Sequence, residues 1–134
     1  MTDITTTDKA YSTTFERLTD MKDYVGKEIG LTDWVTITQE RIDAFANTTD
    51  DYQWIHINPE MSKKYSPYKT TVAHGFLVLS LASRFAYDCY SFKDVNMGVN
   101  YGLDKVRFPN ATPAGALLRG RISVLTFDEI SGGA

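Results

Sequence analysis

Asp51 and His56 place a carboxylate and an imidazole five positions apart, flanking Tyr52-Gln53-Trp54-Ile55 in a polar stretch. A carboxylate accepts a proton, and an imidazole accepts or donates one near neutral pH. On one turn the two can address a single water. The plainer reading of the same residues is that Asp51 caps a turn and His56 packs or faces solvent. A second feature is His74-Gly75, at the head of a long apolar run. The first N–H groups of a helix have no partner inside it, and the dipole is positive there. Gly75 has no side chain, so a ligand oxygen can come close to its N–H, as in an oxyanion site. Its plainer reading is that Gly75 lets a helix pack closely and His74 satisfies a local hydrogen bond.

Other chemistries find less support. Ser80 and Ser83 lie inside the apolar run. A buried helical hydroxyl usually bonds the carbonyl of the preceding turn, and there is no Gly-x-Ser-x-Gly elbow. With two His and no dense acid cluster around them, the expectation is no metal and no cofactor. The single cysteine, Cys89, cannot form an intramolecular disulfide, and its apolar surroundings suit a core residue better than a nucleophile. Lys63, Lys64, Lys69, Lys105 and Arg107 could meet phosphates, although most such cations are simply solvated.

The elements that must position these residues follow from periodicity. Residues 1–14 are Thr-rich without a core pattern, which predicts a flexible tail. Phe15, Leu18, Met21 and Val25 recur at helical spacing before Gly26. Trp34 to Ile37 predicts a short strand. Thr38 then suits a helix N-cap, with Ile42, Phe45 and Ala46 as the apolar face and Asn47-Thr48-Thr49-Asp50 as the stop. Asp51 to Tyr68 predicts a long polar connection. From Val72 to Tyr87 nearly every residue is apolar, which predicts a helix buried on all sides, with Thr70 and Thr71 at its start. The period then changes to two, through Val95, Met97, Val99 and Tyr101, then Val106 and Phe108. Pro113-Ala114-Gly115 predicts a turn, and Leu118, Gly120, Ile122 and Val124 the inward set of the next strand. A buried helix followed by alternating strands implies an α+β architecture, a sheet around a central helix.

The chain's 134 residues suit one domain with one core. A net charge of −3 with no basic block argues against nucleic acid as a partner. No apolar run reaches transmembrane length and no signal pattern opens the chain, which points away from the membrane and to the cytoplasm.

Three segments together resemble a known family. Asp51 to Pro59 is similar to the hydratase-2 signature, Thr71 to Leu77 to the start of that family's central helix, and Asn100 to Pro109 with Pro113 and Gly115 to the strand and turn that follow. The chain resembles the MaoC-like dehydratases, or (R)-specific enoyl-CoA hydratases, in their nodulation-protein-N-like branch. The resemblance covers about residues 25–133. It implies a hotdog fold, a curved antiparallel sheet around one long helix, usually paired as a homodimer. It implies hydration of a trans-2-enoyl-CoA or carrier-protein thioester to the (R)-3-hydroxyacyl thioester, and the reverse dehydration. It implies Asp51 and His56 as the catalytic pair and the Gly75 N–H as donor to the thioester oxygen. Ser83, His74 and Asn58 would be supporting groups, and Tyr52, Trp54, Phe76 and Tyr101 would shape the substrate tunnel.

The chain departs from the family twice. Asp50 stands where the motif usually has Gly. Two further strands are expected after Ala134, so the predicted domain of residues 15–134 is incomplete at its C-terminus relative to the family. Two alternatives share the fold: a thioesterase that hydrolyses the acyl-CoA, and a non-catalytic acyl-thioester-binding protein. The Asp-x-x-x-x-His spacing argues against the first.

Overall fold

Regular structure begins with β1 (Thr13–Phe15), a 3-10 helix over Leu18–Tyr24, β2 (Glu28–Leu31) and β3 (Val35–Thr36). Four helices and a fifth follow in close succession: α1 (Gln39–Thr49), α2 (Trp54–Ile57), α3 (Pro59–Tyr65), α4 (Gly75–Ser80) and α5 (Ala82–Cys89). The chain returns through β4 (Tyr90–Phe92), β5 (Leu117–Leu118) and β6 (Arg121–Ser123). This computed structural model describes residues 8–134. They form two compact units, one of residues up to Asp33 with Ser83–Tyr101 and Arg119–Ala134, the other of Trp34–Ala82 with Gly102–Leu118.

In the first unit β1 runs parallel to β4, with Thr13 opposite Tyr90, and β2 runs antiparallel to β6, with Gly30 opposite Ile122. Phe15, Ile29 and Val124 form a buried cluster, flanked by Met21, Tyr24, Tyr90, Phe92 and Ile122. Helix α5 lies on this layer where two glycines leave room. A Cβ on Gly30 would sit 2.4 Å from Cys89 Cβ, and one on Gly120 would sit 2.6 Å from the Phe85 side chain. Cys89 is buried in that contact, and burial pushes its thiol up from the ordinary value, as expected for a core cysteine. Of the segment predicted as a tail, residues 1–7 lie outside the described residues. Tyr11 exchanges backbone hydrogen bonds with Leu31 at 2.9 and 3.0 Å, and the Thr13 hydroxyl donates to the Ile29 carbonyl. Its threonines have no core pattern of their own, but backbone pairing needs none.

In the second unit, residues 112–118 pair on two sides. Val35 stands opposite Leu118 in an antiparallel pair that continues with the Ile37 N–H on the Ala116 carbonyl at 2.8 Å. On the other side the Ala73 N–H donates to Thr112 O, and the Ala114 N–H to Thr71 O. The predicted turn is present: the Ala116 N–H closes on Pro113 O at 3.0 Å, and Gly115 takes φ +88°, which glycine reaches without steric cost.

Helix α1 starts as predicted. Thr38 is extended, and its hydroxyl oxygen accepts the Arg41 N–H at 3.2 Å, while Ile42 and Ala46 are buried. It continues through the residues predicted to stop it. The Thr48 and Thr49 hydroxyls donate to the carbonyls four residues back, at 2.9 and 2.8 Å, so they satisfy themselves within the helix. The predicted polar connection from Asp51 to Tyr68 holds α2 and α3. Asn58 caps α3 through its side-chain oxygen on the Met61 N–H, and Pro59 takes the first helical position, where its missing N–H costs nothing.

The long apolar run differs most from expectation. Thr71 does not cap it; its hydroxyl donates to Gln39, and Val72 bridges to Pro113. Helix begins at Gly75 and breaks at Leu81, whose N–H is shared between the carbonyls of Leu77 and Val78. It is not buried on all sides. Leu77, Leu81, Phe85 and Cys89 are buried at every fourth position, while Phe76 is 71% and Tyr87 84% exposed. Apolar character all round therefore reports composition rather than burial. Residues 95–108 do not form the predicted strand, and Met97, Val99 and Leu103 are exposed. An alternating pattern becomes a strand only when a neighbouring backbone takes up its N–H and C=O groups.

Candidate active site

The site lies within the second unit and is built from two short stretches, the exit of α1 and the entry of α4. Helix α1 ends on Asp50 in the left-handed region, at φ 59° and ψ 24°. This reversal turns the chain at Asp51, and it is a conformation that glycine reaches freely and aspartate tolerates. It gives a physical reason for the glycine that the resemblance expects here. Asp51 is exposed, and one carboxylate oxygen receives the Gln53 N–H in a long contact of 3.4 Å.

His56 sits in α2, 7% exposed, with Nδ1 2.6 Å from the Val72 carbonyl oxygen. A carbonyl only accepts, so Nδ1 carries the proton, and in the neutral ring Nε2 carries the lone pair. The backbone of His56 is held as well. Its carbonyl accepts from Gln39 Nε2 at 2.8 Å, and the Gln39 side-chain oxygen accepts the Thr71 hydroxyl at 2.6 Å. Gln39 thus ties α1, α2 and the approach to α4 together. In the sequence Gln39 carries no sign of this role, because a glutamine in a first helical turn reads as solvated surface. The only signal would have been its place directly after the Thr38 cap.

His74 is 2% exposed and precedes Gly75. Its ring stacks on that of His56 at 3.8 Å between centroids and 25° between planes, and Phe45 covers it at 4.9 Å. Its Nε2 lies 3.0 Å from the Asp51 main-chain oxygen. One ligand atom from each of Asp51, His56 and His74 lies within 4.8 Å of the others. A water forming two hydrogen bonds of ordinary length spans such a gap. The same spacing would admit a metal ion after contraction, with His74 offering its Nδ1. The Asp51 carbonyl needs an N–H from His74 Nε2, which leaves that ring's lone pair on Nδ1, a buried atom without a hydrogen-bond partner among the described residues.

The remaining expected residues are distributed as follows. Gly75 opens α4, and the Phe108 ring rests on it; an added Cβ would lie 2.9 Å from Phe108 Cδ2 and Cε2. Asn58 spends its side-chain oxygen on the α3 cap. Tyr52 lines a shallow hollow of about 320 Å³ with Asp43, Ala46, Asn47 and Ile57. Trp54 is half-buried at the head of α2, Phe76 projects to solvent, and Tyr101 is fully exposed. Ser83 belongs to the first unit, where its hydroxyl receives the Asn100 side-chain amide at 3.3 Å. Lys63, Lys64, Lys69, Lys105 and Arg107 are exposed cations.

Residues 20–132 match the MaoC like domain, and the chain belongs to that family. It is 42% identical over 120 residues to 3-hydroxyacyl-thioester dehydratase Z of Mycobacterium tuberculosis, covering 90% of this chain and 79% of that protein. It is 43% identical over 105 residues to nodulation protein N of Rhizobium leguminosarum bv. viciae, covering 78% of this chain and 65% of that one. Among solved structures, the X-ray structure of a monoamine oxidase regulatory protein from Archaeoglobus fulgius matches with a TM-score of 0.67 and 25% identity, over 88% of this chain and 78% of that one. The α+β fold is the hotdog fold of this family.

Proposed function

We propose that this protein is a 3-hydroxyacyl-thioester dehydratase that works in both directions, hydrating a trans-2-enoyl thioester of CoA or a carrier protein to the (R)-3-hydroxyacyl form. The name of the dehydratase Z relative and the family membership support the reaction class. The observation that carries the reading is the short gap between the Asp51 carboxylate and the His56 ring, whose Nε2 bears the lone pair.

In this reading a water sits between Asp51 and His56. His56 Nε2 accepts one of its hydrogens and orients it, and Asp51 accepts the other as general base. The water oxygen bonds to C3 while the double-bond electrons move towards the thioester oxygen. Gly75 offers its N–H to that oxygen as charge develops there, which favours the transition state over the ground state. The enolate then takes that proton from Asp51 at C2, which restores the carboxylate and completes the addition of one molecule of water. Dehydration is the reverse. The thioester already acidifies the α-proton, so the residues need no redox group. The supporting place of Ser83 rests on the resemblance alone.

We further read residues 15–134 as one hotdog domain that pairs as a homodimer. The cytoplasm is the compartment we infer, with a buried, unpaired Cys89 in keeping with reducing conditions. No helix among the described residues is long and apolar enough to cross a membrane.

The test is turnover of crotonyl-CoA, followed as loss of the enoyl absorbance. We expect Asp51→Asn and His56→Ala each to lower kcat by about 100-fold or more while remaining folded. A folded but inactive parent, or an Asn variant with near-parent turnover, would overturn the assignment. Binding without turnover would favour the non-catalytic alternative, and release of free CoA from a saturated acyl-CoA would favour the thioesterase.

A further inference from the structure

Asp51 lies in an exposed turn, and among the described residues its side chain has only the long Gln53 contact to hold it. A base in that position would swing unless its backbone were pinned. The pin comes from His74. The Asp51 main-chain oxygen can only accept, so His74 Nε2, 3.0 Å away, donates its proton to it. The other face of the problem is the His56 ring, which must keep Nε2 turned to the same water. The His74 ring lies flat against it at 3.8 Å. His74 itself cannot shift: it is 2% exposed, and Phe45 backs it. One buried ring therefore touches both members of the pair, holding one by a hydrogen bond and the other by its face. The two imidazoles are opposite tautomers, His56 protonated on Nδ1 by the demand of the Val72 carbonyl and His74 on Nε2 by the demand of the Asp51 carbonyl.

We propose that His74 is a positioning residue that sets the reach between the Asp51 carboxylate and His56 Nε2 through its clamp on the Asp51 backbone and its stack on the His56 ring. This inference rests on the dehydratase reading of the same site. His74 does not touch substrate; its ring is buried, and it acts through its two neighbours. Loss of the clamp lets Asp51 drift from the water while the substrate surface stays intact, so the effect falls on kcat and not on KM. A misplacement of about 1 Å in a reacting constellation costs on the order of 100-fold in rate.

Three substitutions separate the two contacts. His74→Phe keeps a flat ring on His56 and removes the donor. His74→Gln places an amide nitrogen near the position of Nε2 and removes the ring. His74→Asn places its nitrogen near Nδ1, away from Asp51. With crotonyl-CoA as substrate, the Phe and Asn variants should lose about 10- to 100-fold in kcat with KM within about twofold of the parent. The Gln variant should recover several-fold over both, out of step with any change in Tm. A folded Phe variant with parent kcat overturns the clamp. So does a Gln variant no better than Asn, with all three falling in line with Tm.

A second measurement needs neither a folded variant nor turnover. Nitrogen-15 correlation spectra of the parent imidazoles, at about pH 8 where an ordinary histidine is neutral, report the tautomer of each ring. The expected result is the Nε2–H form for His74 and the Nδ1–H form for His56. The Nδ1–H form at His74 overturns the proposal. A parent inactive on crotonyl-CoA ends the dehydratase reading, whereas a wrong tautomer in an active parent ends only the role of His74.

Discussion

At Asp50 the backbone stands at φ 59°, a reversal directly before the proposed base. Left-handed geometry costs an L-residue about 1–2 kcal/mol, less for aspartate and nothing for glycine. Asp50→Gly should therefore keep the turn and raise stability by up to about 1 kcal/mol, with crotonyl-CoA turnover within about twofold of the parent. Asp50→Val should lose at least as much stability and also lose turnover, because a β-branched residue resists positive φ and the turn at Asp51 would rearrange. Urea midpoints and kcat measured on the same samples check both. Equal behaviour of Gly and Val would show that the reversal does not govern Asp51.

At the scale of elements, the join between β2 and β6 carries a polar cluster besides its apolar packing. Arg121 bridges Glu28 and Asp8, each at 2.9 Å, and the Tyr11 hydroxyl donates to the other Glu28 oxygen at 2.7 Å. Burial of the hydroxyl and its hydrogen bond to Glu28 push the Tyr11 phenol up from 10.0 to about 12. The folded protein thus holds this proton after the unfolded chain has released it. The stability it confers is complete below about pH 10 and is lost as pH rises through about 12. Urea midpoints of the parent and of Tyr11→Phe, measured from about pH 8 upwards, should show the parent's advantage shrinking across that window. A constant difference would mean that Tyr11 titrates alike in both states. Strand pairing could not be foreseen here, because the 1–14 segment has no apolar alternation. Its contribution is made by backbone and by a charge network whose members lie far apart in sequence.

For the whole molecule, Tyr87, Met97, Val99 and Tyr101 of one unit are large apolar side chains left in water. The proposed homodimer offers a reason. Sedimentation velocity at micromolar concentration should give a species of twice the 15.1 kDa chain mass, and Met97→Asp with Tyr101→Glu should shift it towards the monomer. A parent that stays at the monomer mass at tens of micromolar would count against pairing.

The reach of the sequence follows the reach of each interaction. The Thr38 cap, the Pro113–Gly115 turn and the Asp51/His56 spacing are local, set by residues within one or two turns of each other, and all three are legible before any fold is known. Helices α2 and α3 are also local, but they fall in the stretch predicted as a polar connection, although Asn58 and Pro59 start α3. What tertiary structure alone decided is of another kind: which carbonyl each imidazole meets, that Gln39 ties His56 to Thr71, and that the alternating stretch around Met97 finds no strand partner among the described residues. Ring tautomers and strand pairing depend on backbone groups brought from distant positions, and a carbonyl carries no trace of its eventual partner in the residue type that bears it.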